Sequence, residues 1–515
     1  MSYDYAIVGG GPSGLTLAYI LGKKGYKCIL VDKNPTLGGC HRVIRYKELF
    51  SEHGPRIYSK GFLNFESLLE HMGYNLDDFF IEYKFGLHDI YTQVSTHLST
   101  KELAILSMEF IKLVFDQDHG KNISVKQFML NNNYTIDAIK YINKICLATD
   151  GVDISRYTLF QLLQTVNSSV FTNKKILQPT MPNDDGFIGA WVKKILETGN
   201  VDILLNTDVL KLENNEDKIT SMTVQVNNVN TQTETIKDRI RKITASEFIL
   251  AVPPMPMIKL LENSTPQIHN AFGDFLLIKK WAIKHNYTTF VSITYHWNQK
   301  LNLPKIWGVG TKSEWNVVSI VLSDYMDFNQ DMSKTVISTC ISLLNKKSKF
   351  LHKTANECTD DELRSEVFRQ LKYIYPDLPQ PTAIIINPNV HKTANGWIDD
   401  DTAFVSVSKE NFIESQSNLF FNLYNVGTHN GNSTINFTSI ESAVSNALQL
   451  GHILDPDFAT DYPIESKLTI IDSIRILLCL IVIVLVFYFL NKKYKKNNIV
   501  KVENVIPMQN YTLCK

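Results

Sequence analysis

Apolar and polar positions along this chain follow two rhythms. Tyr3-Asp4-Tyr5-Ala6-Ile7-Val8 is a short, nearly continuous apolar run and predicts a buried strand. Residues 15–25 carry apolar side chains at helical spacing, and Cys28-Ile29-Leu30-Val31 predicts a second buried strand ending in Asp32. Further on, residues 203–212 read as strand, turn and strand. Met222, Val224 and Val226 alternate with polar neighbours, and Phe248-Ile249-Leu250-Ala251-Val252 is a buried strand closed by Pro253-Pro254. Residues 419–426 predict a strand running into Gly427. Residues 438–454 predict a helix with Ile440, Ala443, Val444, Ala447, Leu448 and Ile453 on its apolar positions. No internal repeat is present.

Between these pieces lie two long insertions. Residues 60–175 are helical in pattern and rich in Phe, Tyr and Leu. Residues 260–410 mix strands at 290–297 and 317–322 with a helix near 360–374. Strands alternating with helices predict an α/β, Rossmann-like chain. The expected division is a discontinuous dinucleotide-binding domain (1–60, 175–258 and 412–455) with an inserted α+β substrate domain (61–174 and 259–411). A linker (456–467), a transmembrane anchor (468–491) and a polar basic tail (492–515) follow. Residues 476–490 form a charge-free run followed by Lys492, Lys493, Lys495 and Lys496. Alone it reaches ~22 Å, short of a ~30 Å hydrocarbon core. Extension back to Leu468 makes it long enough, with Asp472 and Arg475 near the interface. All-round hydrophobicity and the lysine flank favour a single-pass C-terminal anchor over a buried core helix. The soluble part is then expected on the cytosolic side.

Composition narrows the function classes. The 515 residues carry 52 Lys+Arg and 52 Asp+Glu, so the net charge is zero and gives no footprint for nucleic acid. The seven cysteines are scattered and never spaced C-x-x-C, which speaks against a disulfide framework or a zinc site, and no metal is expected. The N-terminus runs directly into the first strand without a signal-peptide pattern. The sequons at Asn133, Asn286, Asn432 and Asn436 are therefore expected to stay unmodified.

The candidate chemistry begins at Gly9-Gly10-Gly11-Pro12-Ser13-Gly14, a G-x-G-x-x-G loop between strand and helix. Gly9 allows the tight turn, Gly11 lets backbone approach a pyrophosphate, and Gly14 lets the helix pack close to the strand. Pro12 and Ser13 then stand at the helix N-terminus, where free N–H groups and a partial positive charge suit phosphate. Asp32, followed by Lys33, stands where a carboxylate accepts hydrogen bonds from a ribose. Gly308-Val309-Gly310-Thr311 lacks a third glycine and a following helix and reads as a loop, so a second nucleotide site is unsupported.

Five segments together resemble the flavin-containing amine oxidase superfamily, which includes monoamine oxidases, protoporphyrinogen oxidases and carotenoid desaturases. They are the unit ending in Asp32, Leu37-Gly38-Gly39 with Arg42, Glu52-His53-Gly54-Pro55-Arg56, the Val209 strand with Leu250-Ala251-Val252-Pro253-Pro254, and Val426-Gly427-Thr428 followed by Ser439-Ile440-Glu441-Ser442-Ala443-Val444. The resemblance implies a two-dinucleotide-binding-domain flavoprotein fold and FAD as cofactor. It places Gly38 and Gly39 at the ribityl or pyrophosphate and the Val209 backbone at the adenine edge, and counts Arg42, Gly54, Pro55 and Arg56 among the cofactor-binding residues. Gly427, Thr428, Ser439 and Ile440 fall at the flavin, with a helix N-terminus aimed at its N1–C2=O side. Two departures stand out. Thr428 occupies a place that usually holds an acid, and Thr289-Phe290-Val291-Ser292-Ile293-Thr294-Tyr295-His296-Trp297 lacks the lysine many amine oxidases place on that strand.

Three functions fit these residues. The first is an FAD-dependent oxidoreductase acting on a small molecule, with O2 or a membrane quinone as electron acceptor. Trp281, Tyr287, Tyr295, His296, Trp297 and Trp397 are then candidates for the substrate wall, and His296, Tyr295 and Trp397 for a catalytic part, although aromatic residues at period two on a strand serve core packing as readily. The second is a flavoenzyme without net redox. Gly54-Pro55-Arg56-Ile57-Tyr58 also resembles a stretch of UDP-galactopyranose mutases, with Arg56 in place of a histidine. The third is a non-catalytic flavoprotein.

Overall fold

β1 (Ser2–Val8), α1 (Pro12–Lys24) and β2 (Cys28–Val31) form the expected unit, with β1 and β2 parallel from Tyr5↔Cys28 to Val8↔Val31. The structure, a computed structural model, describes residues 2–83, 86–87, 94–167, 175–227, 239–284, 287–309, 313–328, 330–400, 403–404, 413–430, 438–466 and 469–502. The Val201–Leu204 strand pairs parallel with β2, and the Ile240–Leu250 strand pairs parallel with β1. Ile240–Leu250 changes partner along its length. Its first residues pair antiparallel with Lys218–Val226, itself paired to Thr207–Asn215, and its last residues pair parallel with Leu423–Asn425.

Period-two alternation decides which helices cover this sheet. Ile7 and Leu30 point to one face, where they pack with α1, the Phe187–Glu197 helix and the Ile440–Leu454 helix. Ala6, Val8, Ile29 and Val31 point to the other, against the Pro254–Glu262 and Phe275–Lys284 helices. Both faces are dry, which explains why β1 and β2 read as continuous apolar runs.

A second sheet runs in the order Ala383–Ile386, Val291–Trp297, Thr335–Ile341, Val318–Val321, Ile306–Val309, Gly86–Leu87. A helical lobe made of Thr100–Phe115, Val125–Asn131, Ile136–Asp150 and Leu159–Asn167 closes around Leu113, Phe128, Ile142 and Phe160.

Several expectations about organisation change here. Residues beyond 61 still belong to the nucleotide layer, since Phe65, Leu68 and Leu69 of the Leu63–His71 helix and Phe80 pack in its core. Residues beyond 259 do so too, since Leu260, Leu261, Ile268, Phe272 and Trp281 cover its other face. The segment read as a linker is packed rather than loose. Phe458 and Tyr462 are buried in the first core, and Glu465 N–H donates to Asn64 Oδ1 at 2.8 Å. Polar composition hid these two aromatic anchors. Gly308 and Val309, read as part of a loop, end the sheet strand Ile306–Val309, while Gly310 and Thr311 lie outside the described residues, as do Asn286, Asn432 and Asn436. The final helix continues through the basic flank, from Ile470 to Val502.

One helix among the described residues is long and apolar enough to cross a membrane: Ile470–Leu490, 21 residues with mean hydropathy 2.8. Only 6% of its most apolar window is buried, unlike a core helix. Its start is docked on the helical lobe. Ile471 is buried there, its N–H donates to Asn167 Oδ1 at 3.0 Å, and Arg475 donates to the carbonyls of Val114 (2.7 Å) and Leu113 (2.9 Å).

Candidate functional site

Each glycine of the first loop meets a different neighbour. At Gly9 (φ +105°) a Cβ would stand 2.4 Å from the Ala251 carbonyl oxygen, and at Gly14 it would stand 1.9 Å from the Gly9 oxygen. The protein's own packing requires these two. At Gly11 a Cβ would meet only Gly39 Cα, at 3.8 Å. Gly11 is extended (φ −77°), a conformation any residue adopts, so internal packing does not require glycine there. The space it leaves opens into a cavity.

That cavity, about 2190 Å³, is lined both by the nucleotide sheet and its loops and by the helical lobe. Of the residues singled out in the sequence, Gly9, Gly11, Pro12, Ser13, Asp32, Lys33, Gly39, Gly54, Pro55, Arg56, Val209, Gly427, Thr428, Ser439 and Ile440 line it. Gly14, Gly38 and Arg42 do not. Gly14 packs on the Gly9 carbonyl, Gly38 (φ +118°) turns the chain beside Arg42, and Arg42 is buried.

Two helices point their N-termini at the cavity. α1 begins with Pro12 at its first turn, and Ile440–Leu454 begins behind Ser439, whose Oγ accepts from Ser442 N–H at 3.1 Å. The two are tied by the Ser13 hydroxyl donating to the Ala443 carbonyl at 3.0 Å. Their free N–H groups and aligned dipoles favour negative charge between them. Asp32 braces the loop: its carboxylate accepts from Gly10 N–H (2.7 Å) and Asn34 N–H (2.8 Å). Burial raises its pKa above the usual 3.8, and these two donors oppose that rise. Val209 lies beside a break in strand register between Val209 and Lys211, which frees local backbone from the ladder. Lys33 Nζ donates to the Asp400 carbonyl at 2.8 Å.

The turn at Gly427 and Thr428 is clamped by asparagines. Gly427 N–H donates to Asn430 Oδ1 (2.7 Å), and Asn446 Nδ2 donates to the Gly427 carbonyl (2.7 Å). His429 is buried, Nε2 lies 2.9 Å from Asn425 Oδ1, and burial lowers its pKa from 6.5 to about 3. Neutral amides thus hold the turn in which the resembling family places an acid.

His296, Tyr295 and Trp397 do not line the cavity, so the catalytic reading of these three is corrected. Val291, Ile293, Tyr295 and Trp297 face the core beneath the Asp360–Leu371 helix. The Tyr295 hydroxyl donates to the Arg364 carbonyl, and Trp397 Nε1 donates to the Ala355 carbonyl. Ser292, Thr294 and His296 take the other face. Ser292 donates to the His53 carbonyl, and His296 sits between Ser333 Oγ (2.9 Å) and the Phe50 carbonyl (3.0 Å). Trp281 and Trp297 are buried in the two cores, and the Tyr287 side chain lies outside the described residues.

Burial lowers the His296 pKa from 6.5 to about 4. Folded His296 stays neutral while an unfolded histidine takes up a proton near its ordinary value. Stability is therefore full above about pH 6.5 and falls as pH drops toward 4, and His429 extends the loss toward 3. Melting temperature followed from pH 7 to 4 is expected to fall less steeply in His296→Asn than in the wild type. Equal slopes would contradict this assignment.

The wall that sequence reasoning missed comes from His41, His53, Tyr58, Phe290 and Cys340, and from Leu106, Phe110, Ile142, Ile145, Leu162 and Leu163 of the helical lobe. His41 Nδ1 lies 3.0 Å from the Tyr58 hydroxyl, and burial with the Arg56 charge holds its pKa well below 6.5. His53 Nδ1 is 3.1 Å from Asp399 Oδ2, and Arg56 Nη1 is 3.6 Å from Glu52 Oε2. Burial pushes the Cys340 thiol up to about 12, so it is no nucleophile at neutral pH. His41 and His53 adjoin the Arg42 and Gly54 motifs, a signal that could have flagged them. The helical wall carried no motif.

The cavity thus has two unlike ends, a polar cradle of backbone N–H groups and an apolar arm between helices. Residues 7–72 match the NAD(P)-binding Rossmann-like domain family. Thiamine thiazole synthase of Methanoculleus marisnigri is 51% identical over 39 residues, which span 8% of this chain and 15% of that protein. An oxidoreductase from Methanosarcina mazei superposes with a TM-score of 0.58 at 12% identity, covering 87% of this chain and all of that one. Putrescine oxidase with bound putrescine superposes at 0.57 and 14% identity, covering 88% of this chain and 99% of its own. At these identities the likeness is one of fold. Residues 7–72 are thus similar to an NAD(P)-binding Rossmann-like domain, and the chain as a whole shares the fold found in putrescine oxidase.

Proposed function

We propose that this chain is an FAD-dependent oxidoreductase, held at a membrane by Ile470–Leu490, that oxidises a small molecule lodged in the apolar arm of its cavity. The observation that carries the reading is the continuity of one cavity from the open Gly11 cradle to the apolar arm. The residues present fit FAD. The space beside Gly11 and the α1 N-terminus would take the pyrophosphate, Asp32 and the Val209 backbone the adenosine, and the Ser439 helix end the flavin ring. When bound, the flavin supplies the two-electron oxidation, and O2 or a membrane quinone receives the electrons.

The chain's own residues bind, orient and exclude water. The two helix N-termini stabilise negative charge on the cofactor, and the pinned Gly427 turn fixes the Ile440–Leu454 helix end. Leu106, Phe110, Ile142 and Leu163 keep the arm dry and leave the substrate few orientations. The Val291–Trp297 strand carries no lysine, and Ser292 stands on it with its hydroxyl committed to the His53 carbonyl. Acid release from the purified full-length protein, with chromatography of the released compound, is expected to give FAD at close to one equivalent. Release of a nicotinamide nucleotide instead would overturn the cofactor assignment.

A further inference from the structure

The apolar arm and the membrane helix meet on the same two helices. The last residues of Thr100–Phe115 receive Arg475 through the carbonyls of Leu113 and Val114, and the last residue of Leu159–Asn167 receives Ile471 N–H. The exposed apolar stretch 476–490 begins one residue after Arg475, so hydrocarbon starts within about one helical turn, ~5 Å, of these helix ends.

The same helix ends form one rim of the cavity. Ile111 and Val166 line it and are also exposed, at 46% and 52%. Beside them Met108 is 55% and Phe115 77% exposed. Two large apolar side chains at the cavity and two more exposed on the Thr100–Phe115 helix are costly in water, and that helix also receives the docking bonds of Arg475. Behind the rim the arm is lined by Leu106, Phe110, Ile142, Ile145, Leu162 and Leu163, none of them charged.

We infer that the cavity mouth rests on the bilayer and that the substrate is an apolar, membrane-dissolved molecule which enters between Ile111 and Val166. The inference deepens the proposed function and rests on its membrane anchor, but not on the identity of the cofactor. Continuity with the anchor commits the patch to lipid, because the docking bonds of Ile471 and Arg475 fix the rim close to the point where the helix enters hydrocarbon.

The test uses the full chain in phosphatidylcholine vesicles carrying a diazirine-labelled phosphatidylcholine, with adducts mapped by mass spectrometry after irradiation. Adducts are expected on 476–490 and also on 108–115 and around Val166, and none around Phe350, an equally apolar side chain that is 68% exposed elsewhere. A second arm dissolves a diazirine-bearing long-chain alcohol in the same vesicles. It is expected to label Leu106, Phe110 or Leu162 inside the arm. Lipid adducts on 476–490 alone would show that the anchor inserts while the mouth faces water, which overturns the inference. Failure of the chain to float with the vesicles would overturn the anchor and the inference together. A dimeric mass for the vesicle-bound chain, with 108–115 free of lipid adducts, would assign the patch to self-association instead and overturn the inference. Labelling needs no turnover, so failure of the flavin assignment is read separately.

Discussion

Gly11→Val is expected to abolish cofactor retention and leave the fold intact. The backbone at Gly11 is extended and tolerates a side chain, and a Cβ there meets only Gly39 Cα at 3.8 Å. The added branch therefore costs the folded chain little and fills the space beside the α1 N-terminus. A pyrophosphate would lose its close approach to backbone N–H groups, so affinity is expected to fall by about 100-fold or more, roughly 2.7 kcal/mol. Gly9→Val makes the contrast. Its Cβ would strike the Ala251 carbonyl at 2.4 Å in a left-handed backbone conformation, so folding itself is expected to fail. Flavin-to-protein ratio and melting temperature, read together, separate the two. A Gly11→Val protein with its full flavin complement would remove the cradle from the site.

Glu441→Ala is expected to cause the largest loss of stability among single side-chain truncations near the cavity. Glu441 is 1% exposed. Its carboxylate accepts from Asn64 Nδ2 (2.6 Å), Asn64 N–H (3.0 Å) and Phe65 N–H (2.9 Å). It thereby caps the start of the Leu63–His71 helix from the first turn of Ile440–Leu454 and joins two remote parts of the chain. Burial raises its pKa, and the backbone donors at Phe65 and Asn64 work against that rise. Truncation strands three buried donors at once, a loss on the order of 3–5 kcal/mol. Glu441→Gln keeps one acceptor oxygen and is expected to lose less. Urea midpoints of the three proteins give the comparison, and equal midpoints for Glu441→Ala and wild type would contradict the assigned role.

The nucleotide half was readable because its signals are local. A run such as Tyr5-Ala6-Ile7-Val8, a glycine loop and a helix lie within 33 residues, and Gly9 and Gly14 each answer to a nearby atom. The wall of the apolar arm was not readable for two physical reasons. First, Val291–Trp297 is buried on both faces, so alternation shows that its side chains divide but not that both sets leave the cavity. Tyr295 and His296 therefore looked like wall residues and are core. Second, Leu106, Phe110, Ile142 and Leu163 carry ordinary amphipathic spacing, which predicts a helix but not what covers its apolar side. The packed stretch holding Phe458 and Tyr462 was missed for a related reason: two anchors in a polar segment give no period.

The account turns on a redox-active flavin in the cavity. The most direct test is the absorbance spectrum of the purified full-length protein, taken anaerobically before and after dithionite and again after admitting air. The account predicts the two oxidised-flavin bands in the near ultraviolet and blue, their bleaching by dithionite and their return in air. A protein that shows no flavin bands, even after incubation with FAD, would contradict it.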